Sequence, residues 1–182
     1  DERGFIKRDK HFETNAKGVY VVGDASGKHM LQHAAAYEIN HLGKILLEDC
    51  KEPLHFKYMP HAVFTEPEIA SVGITEQKAK EKNIKYVTST TNWLASAKAM
   101  STRLHYPVTK FLINPDNYEI LGCHMIGPES STMMHQVLAV MHINNDVRHL
   151  KEMLYIHPAL SEALLPASVA AVQEVEKYNN NS

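Results

Sequence analysis

Two apolar segments separated by a tight turn constrain the fold of this chain more than any other feature. Residues 107–114 have the pattern of a β-strand, in which successive side chains lie on opposite faces. Apolar side chains occur on both of these faces. Residues 114–117 read Asn-Pro-Asp-Asn, which is typical of a turn, and residues 119–126 follow as a second strand. These segments predict an antiparallel hairpin, the β part of an α+β fold.

The segments around the hairpin complete the prediction of an antiparallel sheet with helices packed on it. Two short β segments flank a Glu-Pro-Glu turn at 66–68, and a further strand is predicted over 84–90. Thr75 is placed to cap a short helix. Helices are predicted over about 31–50, 75–82, 130–144, 147–154 and 161–177. The last of these is expected to be broken or shifted near Pro166. The Asn-rich tail that follows it is expected to be disordered.

The N-terminal part of the chain has a different pattern. Residues 4–14 indicate a short strand or hairpin edge, and residues 18–24 form an apolar run that ends in Gly-Asp. Such a run is typical of a strand buried on both faces of a parallel sheet, where ligands bind beyond the carboxyl ends of the strands. Asp24 is then placed to accept hydrogen bonds from a sugar-type hydroxyl. The alternative is a strand that simply ends in a turn-forming Gly-Asp pair.

Composition and charge argue against several classes of function. The formal net charge of −2, with 22% charged residues, argues against nucleic acid or a membrane surface as the main partner. Neither a signal-peptide pattern nor an apolar span of membrane length occurs. Cys50 and Cys123 form no CxxC or CxxxxC pair, so we expect reduced thiols in a cytoplasmic protein. His135, His142 and His149 recur every seven residues, too far apart to chelate from one helix, so no metal site is predicted.

The segment 155–162, Tyr-Ile-His-Pro-Ala-Leu-Ser-Glu, has the composition of a positioned base. Pro158 fixes its own φ and biases His157 away from helical geometry, while a helix can begin a few residues later. His157 then projects from a rigid turn, and Glu162 can fold back toward one ring nitrogen. A carboxylate in that place fixes the imidazole tautomer, as acid–base chemistry near neutral pH requires. The alternative interpretation is an ordinary loop-to-helix junction with a surface histidine.

Four motifs in the correct order resemble the flavin-dependent pyridine nucleotide–disulfide oxidoreductases, most closely the dihydrolipoamide dehydrogenase type. They are Thr14-x-x-x-Gly-Val-Tyr-x-x-Gly-Asp24, Phe64-Thr-Glu-Pro-Glu-Ile-Ala-Ser-Val-Gly73, Ile120-Leu-Gly-Cys-His-Met-Ile-Gly-Pro128 and His157-Pro-Ala-Leu-Ser-Glu162. Each motif is weak alone, but the ordered set spans nearly the whole chain. The pattern breaks at 51–54, where we place a domain boundary. The resemblance implies that residues 1–55 are the last part of an α/β FAD-binding domain and that residues 56–182 form a dimerisation domain.

The resemblance also implies roles for individual residues. His157, oriented by Glu162, would serve as the acid–base group at the redox disulfide of the partner subunit in a homodimer. The substrate would be a thiol or disulfide such as dihydrolipoamide. Asp24 would hold the ribityl chain of FAD. Residues 30–35 resemble the family segment that opens a helix beneath the isoalloxazine, and within it Met30, Leu31, Gln32 and His33 would bind the cofactor.

Several parts of such an enzyme do not occur in this sequence, which contains neither GxGxxG nor CxxxxC. We therefore expect FAD and NAD(P) in a longer parent enzyme, and we expect the 182-residue chain alone to bind neither and to be inactive. A 2-oxo acid dehydrogenase complex is a further candidate partner of the parent. Two alternatives stay open: a homodimerisation module without chemistry, and a part of another disulfide reductase of the same family.

Overall fold

The computed structural model describes residues 1–181, which form two compact units, one of Asp1–Lys57 and one that begins at Tyr58. This division falls close to the break in pattern on which the domain boundary was predicted. The assignment of the first unit to an FAD-binding domain stays a prediction. None of the helices in residues 1–181 has both the length and the apolar character needed to cross a membrane.

The first unit is built on one long helix, α1 (Gln32–Leu47), which matches the helix predicted from about residue 31. The buried residues of α1 follow one helical face: Ala34, Glu38 and Leu42. A 3-10 turn at Gly23–Ser26 packs against the start of this helix. A Cβ added to Gly23 would lie 3.1 Å from the Cβ of Ala35, and Gly23 has a φ of 66°, so glycine suits this position on both counts.

The two β segments predicted in the first unit are reduced to one isolated antiparallel bridge between Glu13 and Tyr20, so residues 4–14 provide a hairpin edge and the buried parallel strand does not form. Residues 4–14 turn back at Asp9, whose carboxylate accepts two amide N–H groups from the residues that follow. The apolar run at 18–24 forms only one isolated antiparallel bridge, at Tyr20. A strand of a parallel sheet needs parallel neighbours for its backbone hydrogen bonds, and the described residues of this unit provide none.

The second unit contains a five-stranded antiparallel sheet. Its strands are β1 (His61–Val63), β2 (Ile69–Gly73), β3 (Val87–Asn92), β4 (Val108–Ile113) and β5 (Ile120–Ile126). Their order in the sheet is β1-β2-β5-β4-β3. The predicted hairpin is the β4–β5 pair, in which Val108 lies opposite Ile126 and Phe111 lies opposite Cys123. The two segments around the Glu-Pro-Glu turn form β1 and β2, also as predicted.

Five helices accompany the sheet. They are α2 (Glu76–Glu81), α3 (Ala97–Ser101), α4 (Ser130–Ile143), α5 (Arg148–Glu152) and α6 (Leu164–Asn180). Thr75 caps α2 as predicted, because its hydroxyl accepts the N–H of Lys78 at 3.2 Å. The sequence did not predict α3, since five residues are too few to show a helical period.

Of the two outcomes predicted near Pro166, a break and a shift, the structure shows the shift: the last α-helix begins at Leu164 instead of Ser161 and is not broken at Pro166. Pro166 is the third residue of α6, and the first N–H groups of a helix have no intrahelical partner, so proline loses no hydrogen bond there. A 3-10 turn, Leu160–Ala163, leads directly into α6. The helix also includes Asn179 and Asn180, where disorder was expected, while Ser182 lies outside the described residues.

The core of the second unit lies between the sheet and two helices, with α4 on β2 and β5 and with α6 on β3 and β4. The helix residues that enter it recur every four positions. They are Met133, Val137 and Met141 on α4, and Ala167, Ala171 and Val175 on α6. Trp93 and Phe111 fill the core from the sheet side at 1% and 0% exposure. Each large apolar side chain buried here contributes about 1.5–3 kcal/mol. The α+β prediction is therefore confirmed.

Candidate functional site

The segment 155–162, which we call the His157 turn, connects α5 to the 3-10 turn before α6. The peptide bond between His157 and Pro158 is cis. Nδ1 of His157 lies 2.7 Å from Oε1 of Glu162, and the two side chains are 68% and 19% exposed. The structure thus contains the contact that the spacing suggests, with the carboxylate held in the turn and the imidazole open to solvent. The catalytic role of both residues stays a prediction.

The carboxylate of Glu162 has a second partner within the turn. Its Oε2 accepts the N–H of Ala159 at 2.8 Å, which is the acidic half of a capping box; Ala159 has no side-chain oxygen for the other half. The pKa of Glu162 is lowered below its ordinary value. The hydrogen bond from His157 has the larger effect, and the one from the N–H of Ala159 has the next largest. An ionised carboxylate can only accept, so Nδ1 of His157 must donate, and Nε2 of the neutral ring is left as the proton acceptor.

Buried residues after His157 and a side-chain hydrogen bond before it hold the backbone of the turn. After it, Leu160, Ala163 and Leu164 are 9%, 0% and 0% exposed. Before it, the hydroxyl of Tyr155 donates to the carbonyl of Leu150 at 2.8 Å. Burial raises the pKa of Tyr155 to about 12, so this donor keeps its proton at neutral pH. The histidine therefore projects from a rigid support.

Exposed apolar side chains lie immediately before His157 in the chain. Leu154 is 98% exposed, Ile156 is 81% exposed and Met153 is 40% exposed. Exposed large apolar side chains that lie together in this way are more common on interaction surfaces than on the rest of a protein's surface. The His157 turn thus presents a polar pair beside an apolar contact surface.

The residues predicted to bind flavin lie around the start of α1, in the first unit. Asp24 is exposed in the Gly23–Ser26 turn, and Leu31 is the half-buried N-cap of α1. The other three are exposed: Met30, Gln32 and His33. The N-cap residue of α1, Leu31, has an apolar side chain and makes no side-chain cap hydrogen bond.

A buried ion pair supports the Gly-Asp turn and was not predicted. The guanidinium of Arg8 donates to Oε2 and Oε1 of Glu38 at 3.0 and 2.5 Å, and the two side chains are only 4% and 3% exposed. Oε2 of Glu38 also accepts the N–H of Gly23 at 2.7 Å. The sequence did carry a signal, since Glu38 interrupts the apolar stripe of α1. It gave no sign of Arg8 as the partner.

The cysteines and histidines form no metal centre in residues 1–181, where no three His, Cys, Asp or Glu side chains converge as a metal ion requires. Cys123 is fully buried in β5, and burial raises the pKa of its thiol. It is therefore a small apolar member of the core.

Comparison with known proteins identifies the second unit. The family description "pyridine nucleotide-disulphide oxidoreductase, dimerisation domain" matches residues 59–168. The dihydrolipoyl dehydrogenase of Vibrio parahaemolyticus is 30% identical over 164 residues, which are 90% of this chain and 34% of that protein. The dihydrolipoyl dehydrogenase of Buchnera aphidicola (subspecies Schizaphis graminum) is 30% identical over 168 residues, 92% of this chain and 35% of that protein. The chain thus spans about a third of the length of these curated relatives.

Solved structures agree with this assignment. The HOCl-induced flavoprotein disulfide reductase RclA of Escherichia coli has a TM-score of 0.86 at 25% identity, over 93% of this chain and 39% of that one. LpdA of Mycobacterium tuberculosis has a TM-score of 0.80 over 91% of this chain and 36% of that one, and at 22% identity it supports the fold alone. Since the family match covers more than half of the residues, the chain belongs to the pyridine nucleotide–disulphide oxidoreductase family, of which it contains the dimerisation domain.

Proposed function

We propose that this chain is the C-terminal part of a homodimeric flavoenzyme of the dihydrolipoyl dehydrogenase type, in which His157 and Glu162 serve the redox disulfide of the partner subunit. The observation that carries the proposal is the contact between His157 Nδ1 and Glu162 in a rigid, solvent-open turn. The names of the relatives support the enzyme class and dihydrolipoamide as the substrate. Membership of a 2-oxo acid dehydrogenase complex and a cytoplasmic location remain expectations.

In this proposal His157 moves one proton at Nε2. The neutral ring accepts a proton from the substrate thiol, which produces a thiolate, the form that attacks a disulfide. Glu162 stays ionised and balances the imidazolium that forms, because its own pKa is lowered. The substrate sulfur then forms a mixed disulfide as the S–S bond of the partner subunit breaks, and the cysteine sulfur that leaves as a thiolate can take the proton back from Nε2. This role requires a fixed ring orientation, which the Nδ1 hydrogen bond provides.

The first unit would contribute to the site for FAD, which when bound passes electrons between a nicotinamide and a disulfide. Asp24 offers an exposed carboxylate to hydroxyl donors, and the start of α1, where Leu31 makes no side-chain cap hydrogen bond, would present amide N–H groups to acceptors. These groups fit a cofactor with hydroxyls and phosphates. We infer that Asp24, with Met30, Leu31, Gln32 and His33, holds part of the flavin in the parent enzyme.

The test of the acid–base role is the His157→Ala variant of the full-length flavoenzyme that contains this chain. Turnover with dihydrolipoamide should fall by about 10²–10⁴-fold, as is typical for the loss of an acid–base group. His135→Ala is the matched control, because His135 is exposed and its ring forms a hydrogen bond with the backbone carbonyl of Ser131 in its own helix. Equal turnover for the wild type and His157→Ala would refute the acid–base role and favour a dimerisation module without chemistry.

A second candidate is a disulfide reductase of the same family with another substrate. The structural similarity to RclA, a flavoprotein disulfide reductase, favours it. The two candidates share the His157 chemistry and differ in substrate. Steady-state rates of the full-length enzyme with dihydrolipoamide and with a panel of other dithiols and disulfides separate them, since the dihydrolipoyl dehydrogenase proposal requires dihydrolipoamide to have the highest kcat/KM.

The flavin assignment has its own test. Asp24→Ala in the full-length enzyme should lower the FAD retained after purification, measured as flavin absorbance per protein, because the variant lacks the carboxylate that accepts hydroxyl donors. Glu48→Ala removes an exposed carboxylate from the other end of α1 and should leave the flavin content unchanged. Full flavin content in Asp24→Ala would contradict the assignment.

A further inference from the structure

Ser96 reaches the His157 turn from a different part of the fold. It is the N-cap of α3 and is 1% exposed. Its hydroxyl donates to the carbonyl of Ala159 at 3.1 Å, across 63 positions of sequence, and accepts the N–H of Ala99 at 3.4 Å. The buried hydroxyl of Ser96 thus both donates and accepts a hydrogen bond. The carbonyl to which it donates, that of Ala159, belongs to the His157 turn.

Ala159 is the residue on which the geometry of the acid–base pair depends. Its N–H donates to Oε2 of Glu162, and its carbonyl accepts both Ser96 and the N–H of Glu162, the latter at 3.3 Å. A rotation of either peptide group of Ala159 would move the carboxylate that holds the imidazole of His157. The hydrogen bond from Ser96 opposes that rotation from outside the turn.

Ser96 is itself attached to the sheet. Its N–H donates to the carbonyl of Trp93 at 2.9 Å. The indole N–H of Trp93 donates to the hydroxyl of Thr109 in β4 at 2.8 Å, and both side chains are buried. Buried hydrogen bonds of this kind are well defined, because breaking one leaves polar groups without partners in a dry environment. They connect the central sheet to the His157 turn.

We propose that Ser96 is a positioning residue, which holds Ala159 so that Glu162 keeps His157 in the Nδ1–H tautomer. The proposal rests on the proposed function, in which Nε2 of His157 must be free to accept a proton. A hydroxyl suits the position because it can donate to Ala159 and accept from Ala99 at the same time. Alanine can do neither, and the cysteine thiol is only a weak donor.

The tautomer of His157 can be observed directly in the complete 182-residue chain by NMR of ¹⁵N-labelled imidazole side chains, assigned with His157→Ala. In the wild type the Nδ1 resonance should have the chemical shift of a protonated nitrogen and Nε2 that of an unprotonated one. In Ser96→Ala both should shift toward values averaged over the two tautomers. Ser96→Thr keeps the hydroxyl and should keep the wild-type pattern.

Thr75→Ala is the matched control, since it removes a hydroxyl N-cap from α2, another short helix, where that hydroxyl accepts the N–H of Lys78 in its own first turn. It should leave the imidazole spectrum of His157 unchanged. Ser96→Cys replaces Ser96→Ala as the decisive variant if the alanine protein does not fold. An unchanged His157 spectrum in the folded variant, or an equal change in Thr75→Ala, overturns the proposal.

This experiment separates the positioning role from the proposed function. If Ser96→Ala changes the tautomer but His157→Ala leaves the turnover of the full-length enzyme intact, the positioning role holds and the acid–base function fails. If His157→Ala abolishes turnover but Ser96→Ala leaves the tautomer unchanged, only the positioning role fails.

Discussion

Glu162 binds two partners with its two oxygens, and both contacts depend on its charge. Oε1 accepts from His157 and Oε2 accepts from the backbone of Ala159. Because these bonds lower the pKa of Glu162 below 4.5 in the folded state, its ionised form stabilises the fold above about pH 4.5. That contribution is lost as the pH falls through the folded pKa, when the carboxylate binds a proton.

A Glu162→Gln variant should therefore have a lower Tm than the wild type near neutral pH, and the difference should shrink below about pH 4. Thermal unfolding of the 182-residue chain across this pH range measures the effect. Glu176→Gln, an exposed change on α6, is the control and should leave Tm nearly unchanged throughout. A Tm difference for Glu162→Gln that stays constant with pH would contradict the assigned cause.

The buried Arg8–Glu38 pair gives a second prediction at this scale. Arg8→Leu leaves the carboxylate of Glu38 buried without its cation, which should destabilise the first unit by about 3–5 kcal/mol. Amide hydrogen exchange of α1 reports this unit specifically. The exposed neighbouring change Lys7→Leu should have an effect within about 0.5 kcal/mol.

The double variant of Arg8→Leu with Glu38→Leu should recover part of the loss, because no unpaired charge then remains. Equal protection of α1 amides in the wild type and in Arg8→Leu would show that the pair contributes nothing to stability.

Sequence spacing predicts site residues only where the partners are close in the chain. Glu162 lies five positions after His157 and has its backbone partner at Ala159, so a local turn explains their contact. Arg8 and Ser96 contact groups that are 30 and 63 positions away. Tertiary packing alone brings them together, and neither residue differs in type from the surface residues around it. Their contacts could be found only in the structure.

At the scale of elements, hydrophobic periodicity predicts helices and strands where the packing partner lies in the same unit. The alternation in β4 and the four-residue repeat in α4 both match the faces that the core buries. The run at 18–24 was misassigned because its apolar residues suit a sheet that the described part of this unit does not contain. The sequence left open whether Pro166 breaks or shifts the last helix, because the effect of a proline depends on where the helix begins.

The core helix α4 provides a prediction for a single element. Met141 is fully buried, so Met141→Ala should lower the free energy of unfolding of the second unit by about 2–5 kcal/mol. Ile143 lies two residues later and is 78% exposed, so Ile143→Ala should change it by no more than about 0.5 kcal/mol. Denaturant unfolding followed by the fluorescence of Trp93, the one tryptophan in the sequence, measures both. Equal losses would contradict the assignment of Met141 to the core.

At the scale of the whole molecule, the second unit has a buried core and exposed apolar residues in several places, including the segment just before His157. Among them, Leu154 and Ile156 lie directly before the proposed acid–base pair in the chain. If His157 acts in the site of a neighbouring subunit, an apolar contact surface next to it is expected, because binding of the two subunits then also places His157 in that site. The proposed homodimer accounts for both features.

The last prediction is therefore that the 182-residue chain forms a homodimer without bound flavin. Light scattering should give about twice the chain mass of 20.5 kDa, and a visible absorbance scan should show no flavin band. Leu154→Lys places a charge in the apolar cluster and should convert the dimer to a monomer. Leu47→Lys, at a residue of the first unit that is 87% exposed, should leave the mass unchanged. A monomeric wild type would show that the contacts of this unit are too few for dimerisation, and delivery of His157 across a two-fold axis would lose its simplest support.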